Sequence, residues 1–206
     1  MRFKWLLLRS LTVGAAMTIV ACLTGCVTNS YADLPKPVLS ANQLPTVQHP
    51  RPVTVLFQFL TNGKENAAAT GLLKERVMGA VTRSNMFSRV SPTVDSSQPN
   101  ILEISIDDQA DMGKAEAQGF GTGLTLGLAG SLLQDAYVCT ASYTSGGRKA
   151  SATGRAAILS AVGLHSAPPG LKPVDQKEAV YEVVDQVIWH SLAQLDGEGA
   201  FSESHP

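Results

Sequence analysis

Val53-Thr54-Val55-Leu56-Phe57-Gln58-Phe59 puts Val53, Val55, Phe57 and Phe59 on alternate positions, with Thr54, Leu56 and Gln58 between them. That period of two marks a half-buried β-strand, and it opens the folded domain. The period then lengthens. Between Glu65 and Asn85, the residues Leu72, Leu73, Val77, Ala80 and Val81 recur at three- and four-residue spacing, with Lys74, Arg76 and Arg83 largely elsewhere, which predicts an amphipathic helix. The run Ser84-Asn85-Met86-Phe87-Ser88-Arg89-Val90 turns out of that helix into a short second strand. Ile101 to Ile106 is a third, with Leu102, Ile104 and Ile106 on one side and Glu103 and Ser105 on the other.

Farther along, Ala136 to Tyr143 and Lys149 to Leu159 read as consecutive strands joined by Ser145-Gly146-Gly147, a hairpin because such turns need positive φ angles. A loop with Pro168, Pro169, Gly170 and Pro173 follows. Asp175, three residues before Glu178, caps a helix whose stripe is Val180, Val183, Val184, Val187, Ile188, Leu192 and Leu195. Gly197 ends it, and residues 198–206 read as a flexible tail.

This order predicts a single domain over residues 53–197 of the α+β or α/β class, a mixed sheet with amphipathic helices packed on one face. No internal repeat interrupts it. The succession of an apolar first strand, a helix ending in SNMFSRV (84–90) and the strand NILEISI (100–106) resembles periplasmic domains of two lipoprotein groups. These are the curli-secretion lipoproteins and the lipoprotein activators of penicillin-binding proteins. The resemblance covers about residues 53 to 110, and the last helix matches in type and place. It implies a periplasmic α/β domain and, on the curli side, permits an oligomeric channel.

Upstream, residues 26–52 are polar and carry Pro35, Pro37, Pro45, Pro50 and Pro52, which reads as a tether. Extended at about 3 Å per residue, it would reach roughly 80 Å. Residues 1–25 read as an export signal: Arg2, Lys4 and Arg9 are its basic start, and Leu11 to Leu23 an apolar run too short for a good spanning helix. Leu23-Thr24-Gly25-Cys26 resembles the lipobox of bacterial lipoproteins. That implies acyl chains on Cys26, at about 0.8 kcal/mol per buried CH₂, and hence permanent anchoring to a membrane. In that family an Asp after the Cys commonly retains the protein at the inner membrane. Val27 stands there, so the expectation is the outer membrane, with the domain facing the periplasm.

Loss of residues 1–25 removes three basic side chains and no acid, leaving 13 Lys plus Arg against 17 Asp plus Glu. An acidic balance without a basic patch argues against a nucleic-acid partner. Of the three cysteines only Cys139 then stays available, so no intramolecular disulfide is expected.

Residues 117–134 carry no charge. Within them Phe120, Thr122, Leu124, Leu126, Leu128 and Leu132 fill even positions, and Gly119, Gly121, Gly123, Thr125, Gly127, Ala129 and Ser131 the odd ones, as in a strand. Glycines 119, 123 and 127 also make a four-residue ladder that lets helices approach in lipid. Three readings stand open. The segment is a strand or loop buried by the protein's own helices, a membrane-inserting strand of an oligomeric pore over 119–133, or a self-association helix. The candidate contact residues are Gly119, Gly121, Gly123, Leu124, Leu126, Gly127 and Leu128.

Catalytic sets are sparse. GFGTGLTLG (119–127) lacks dinucleotide spacing, and no Walker lysine follows it. His49, His165, His190 and His205 form no metal-spaced pair, and His190 reads as a flanking side chain. Asp107, Asp108 and Asp111 could hold calcium through oxygen ligands, but without the glycine and distal Glu of a calcium loop they read as a turn stopping the strand. Cys139 reads as a small buried hydrophobe. No cofactor and no metal are expected. The expectation is a non-catalytic lipoprotein that binds or scaffolds another envelope protein. The alternative is a homo-oligomeric secretion or channel component.

Overall fold

The computed structural model describes residues 28–94, 99–110, 131–162 and 167–202. Its strands are β1 (Thr28–Asp33), β2 (Pro52–Thr61), β3 (Lys64–Glu65), β4 (Arg89–Ser91), β5 (Ile101–Ala110), β6 (Ser131–Ser145) and β7 (Arg148–Val162). Two helices, α1 (Ala67–Arg83) and α2 (Gln176–Gly197), and a 3₁₀ turn at Ala41–Gln43 complete the described residues. The strands form one sheet in the order β1-β7-β6-β5-β2-β3, with β4 also on β2. β2 runs parallel to β4 and β5 and the other pairs are antiparallel, so the sheet is mixed.

Local chemistry fixes each boundary. The Asn66 side chain accepts from Ala69 N at 3.0 Å and starts α1, while Asn85, at φ 55°, turns the chain out after Ser84. Asp175 starts α2 by accepting from Lys177 N at 2.8 Å. Two hairpins close on paired positive-φ residues, Asn62-Gly63 (51° and 75°) and Gly146-Gly147 (56° and 77°), whose twist matches the strands they join.

The alternation of β5 places Leu102, Ile104 and Ile106 in the core beside Tyr137, Cys139, Ala141 and Tyr143 of β6, and both helices pack on that face. α1 contributes Leu73, Val77, Ala80 and Val81, and α2 contributes Val183, Val184, Val187, Ile188, Leu192 and Leu195. Leu72 departs from the expected stripe: it points to solvent at 80% exposure. Across the sheet, Leu56, Gln58, Glu103, Thr140, Ser151 and Thr153 are exposed.

Two terminal expectations need correction. Residues 28–52 are not a free tether. β1 pairs along the edge of β7, and the proline-bearing strap then crosses α2, where the Gln186 side chain both accepts from Leu39 N (2.9 Å) and donates to Leu39 O (2.6 Å). His190 Nε2 meets Pro37 O at 3.1 Å, and Leu44 is buried. Prolines deny the strap a regular ladder, so a buried glutamine substitutes for a neighbouring strand.

Nor do residues 198–202 fray. Gly199, at φ 75°, reverses the chain after α2, and Ala200 N donates to Leu195 O at 2.9 Å. This helix-terminating turn delivers Phe201 into the core, edge-on to Phe87 and Tyr143 at centroid distances of 5.3 and 5.0 Å.

Candidate functional site

Strand register brings several chain exits to one end of the sheet. Thr28 pairs with Val162, and Val162 also pairs with Ser131. Thr28 and Ser131 are therefore two strand spacings apart, about 10 Å. β5 leaves the sheet at the same end, where Ala110 is opposite Asp135. Cys26, two residues before Thr28, lies outside the described residues. So do Gly119, Gly121, Gly123, Leu124, Leu126, Gly127 and Leu128. Residues 131–134, by contrast, belong to β6 and pair with β7.

Asp108, Asp135 and Tyr137 share the helix side of this end. Asp108 faces Tyr137 across the β5–β6 pair, and Asp135 is two residues along the same strand. Tyr137 packs edge-on to Phe59 at 6.2 Å. One Asp108 oxygen, Oδ1, is buried and has no hydrogen-bond partner among the described residues. Removal from water, then the charges of Asp135 and Asp107, push its carboxyl up from 3.8 to about 6. Burial raises Asp135 as well, and burial together with both carboxylates raises Tyr137.

The expected turn of Asp107, Asp108 and Asp111 is not what forms. β5 continues to Ala110, so Asp107 and Asp108 point to opposite faces, while Asp111 lies outside the described residues. Asp107 instead braces the Asn62-Gly63 hairpin, accepting from Gly63 N at 2.9 Å.

A sign follows for the pH response of Asp108. The folded carboxyl holds its proton more tightly than the unfolded one, so stability falls as pH rises from about 4 to about 6 and the deficit persists above that. Asp108→Asn is expected to be more stable than the parent by about 1 kcal/mol at pH 7, a value discounted because the carboxyl is partly in water. The difference should vanish near pH 4. Urea unfolding at both pH values checks this, and a destabilised variant at pH 7 would refute it.

The other candidate residues separate. Cys139 is buried, and desolvation pushes its thiol up to about 12, although a hydrogen bond to Ser191 lowers it. His190 sits against the strap. His165 and His205 lie outside the described residues. Among the described residues no group of three or more His, Cys, Asp or Glu is arranged to hold a metal ion, and no helix is long and apolar enough to cross a membrane.

At the opposite end of the sheet, the β6–β7 turn, the end of the strap and the turn after α2 enclose a cleft of about 120 Å³. His49, Arg51, Arg148 and Lys149 line it, with Phe87, Tyr143 and Phe201 as its aromatic wall. Sequence reading missed this cleft because its parts lie more than 150 residues apart.

No protein-family model and no curated protein matches the chain. Among solved structures, it is similar to the PelC dodecamer from Paraburkholderia phytofirmans, at 10% identity and a TM-score of 0.34, covering 80% of this chain and 96% of that one. A single-residue variant of that dodecamer gives 9% identity, a TM-score of 0.36 and the same coverage. At those values the likeness carries no argument about this chain's role or assembly.

Proposed function

We propose that the chain is a non-catalytic outer-membrane lipoprotein, anchored by acyl chains on Cys26, whose periplasm-facing domain binds or scaffolds another envelope protein. The observation that carries this reading is the position of Thr28. A strand that starts two residues after the lipobox cysteine leaves no slack, so the acyl chains would hold the β1–β7–β6 end of the sheet against the bilayer. The opposite end would then face away. At about 3.4 Å per residue, the fifteen residues of β6 set the two ends roughly 45 to 50 Å apart.

Cys26→Ser is the test of anchoring. The variant is expected to move from the membrane pellet to the soluble fraction, with at least about a tenfold drop in bound protein, since two acyl chains supply nearly all of the attachment. A pellet unchanged after a high-salt wash would refute the anchor. Affinity capture from detergent-solubilised envelope tests the binding role, and repeated recovery of no partner would count against it.

The same geometry favours one second reading, a homo-oligomeric secretion or channel component that inserts residues 119–133 into the bilayer. β5 ends at Ala110 and β6 begins at Ser131 at the end of the sheet where β1 starts, so the stretch that joins them would have access to the membrane that an anchor on Cys26 enters. Protection of that segment from protease in native membranes, with ring-shaped particles, would favour this reading. A monomer with the segment cut would reject it.

A further inference from the structure

We infer that the cleft between the β6–β7 turn and the turn after α2 is a binding site for a carboxylate-bearing segment of a partner protein. The inference rests on the reading that this chain binds another envelope protein, and it names the chemistry of the contact. Three cationic side chains, Arg51, Arg148 and Lys149, and one imidazole, His49, line the cleft, where Glu198 is the one carboxylate among the described residues. Glu198 is occupied by Gln194 Nε2 at 3.0 Å, and Lys149 by Glu103 at 2.8 Å on the outer face of the sheet. Among the described residues neither Arg51 nor Arg148 forms an ion pair. Two guanidinium forks at one opening therefore favour a planar carboxylate, which they can hold through paired hydrogen bonds.

Arg51 is steadied in advance. Its Nη1 reaches Ser145 Oγ at 3.5 Å, and that hydroxyl donates to Asn100 Oδ1 at 2.7 Å, while Asn100 Nδ2 donates to Pro52 O at 3.0 Å. The chain of bonds ties the arginine to the start of β2 and the end of β6, so less freedom is lost on binding. Phe87, Tyr143 and Phe201 pack against one another behind it and offer an apolar wall for the stem that carries the acid.

Size and place select the source of the carboxylate. The cleft, about 120 Å³, has room for one side-chain carboxylate. It lies at the far end of β6 from the exit of Cys26, beyond the reach of acidic headgroups in the membrane that the anchor would enter. A projecting Glu or Asp of a partner protein meets both conditions.

The experiment uses the full lipidated chain in neutral detergent and two fluorescent tetrapeptides, identical except that a central Glu flanked by Phe is replaced by Gln. The Glu peptide is expected to bind at least about tenfold tighter at low salt and to weaken about tenfold as salt screens it. Arg148→Glu should abolish that preference with the thermal melt unchanged, while Arg155→Glu, an exposed arginine outside the cleft, should retain it. Equal binding of the two peptides, or a preference that survives Arg148→Glu, would overturn the inference. If the peptides are distinguished but no envelope protein is captured, the carboxylate site stands and the broader binding role falls.

Discussion

Gly154→Ala should destabilise the domain by about 3 kcal/mol, near the upper end for a single added methyl group in a packed layer. For a domain of this size that corresponds to a fall in melting temperature of roughly 6 to 12 °C. Gly154 is on β7 opposite Cys139, packed directly beneath Val187 and Ser191 of α2. A Cβ there would intrude on the Val187 carbonyl oxygen and stand 2.9 Å from both Val187 C and Ser191 Oγ. The oxygen is helix backbone and already accepts from Ser191 Oγ at 2.7 Å, so it cannot rotate aside. Relief requires moving α2, which would loosen Val183, Val187 and Leu192 against β6 and β7. Gly71→Ala provides the control: it is helical, exposed and has nothing within 4 Å of the new methyl, so it should stabilise by about 0.5 to 1 kcal/mol. Urea unfolding of both variants decides. A Gly154→Ala loss below about 1 kcal/mol would mean that α2 shifts freely over the sheet.

That close approach was partly legible. Ala150, Ala152, Gly154 and Ala156 alternate along β7 on its helix side, and such a row of small residues implies a helix lying low across it. The sheet and both helices follow from periodicity, because alternation in β5 and the stripe of α2 record burial, although β2 departs from its alternation at the buried Thr54. The Asn62-Gly63 hairpin went unread although that dipeptide is the strongest short hairpin signal, since β3 spans only two residues and leaves no alternation to notice. Leu72 shows the converse error: its spacing fits the stripe, yet it lies at the stripe's margin and points to solvent, while Leu73 takes the core position. The strap and the basic cleft were illegible for a different reason. Each is held by contacts across more than 90 residues, such as Leu39 with Gln186 and Arg51 with Ser145, which no local pattern encodes.

A comparable loss is expected from Asp185→Ala, about 3 kcal/mol, by another mechanism. Asp185 lies on α2 with a side chain only 10% exposed and joins two arginines of α1. Arg76 Nη2 donates to Oδ2 at 2.7 Å, and Arg83 Nη2 to Oδ1 and Oδ2 at 2.9 and 2.8 Å. Burial raises the carboxyl by more than the two guanidinium groups lower it, so the cluster is an expensive assembly that is stable only while complete. Truncation removes the anion and leaves Arg76, 29% exposed, with its Nε already buried and unpartnered. It also frees the arginines that lie over Tyr181 and Trp189 at 4.7 and 5.9 Å, beside the bond from Trp189 Nε1 to Ala80 O at 3.1 Å. Arg83 is 44% exposed, so Arg83→Ala should cost only about 1 kcal/mol. Asp185→Asn should fall between the two, because it keeps an acceptor while losing the charge. A double-mutant cycle of Asp185→Ala with Arg76→Ala would return a coupling of about 2 kcal/mol if the penalty comes from the stranded guanidinium. Additive losses would instead assign it to packing between the helices.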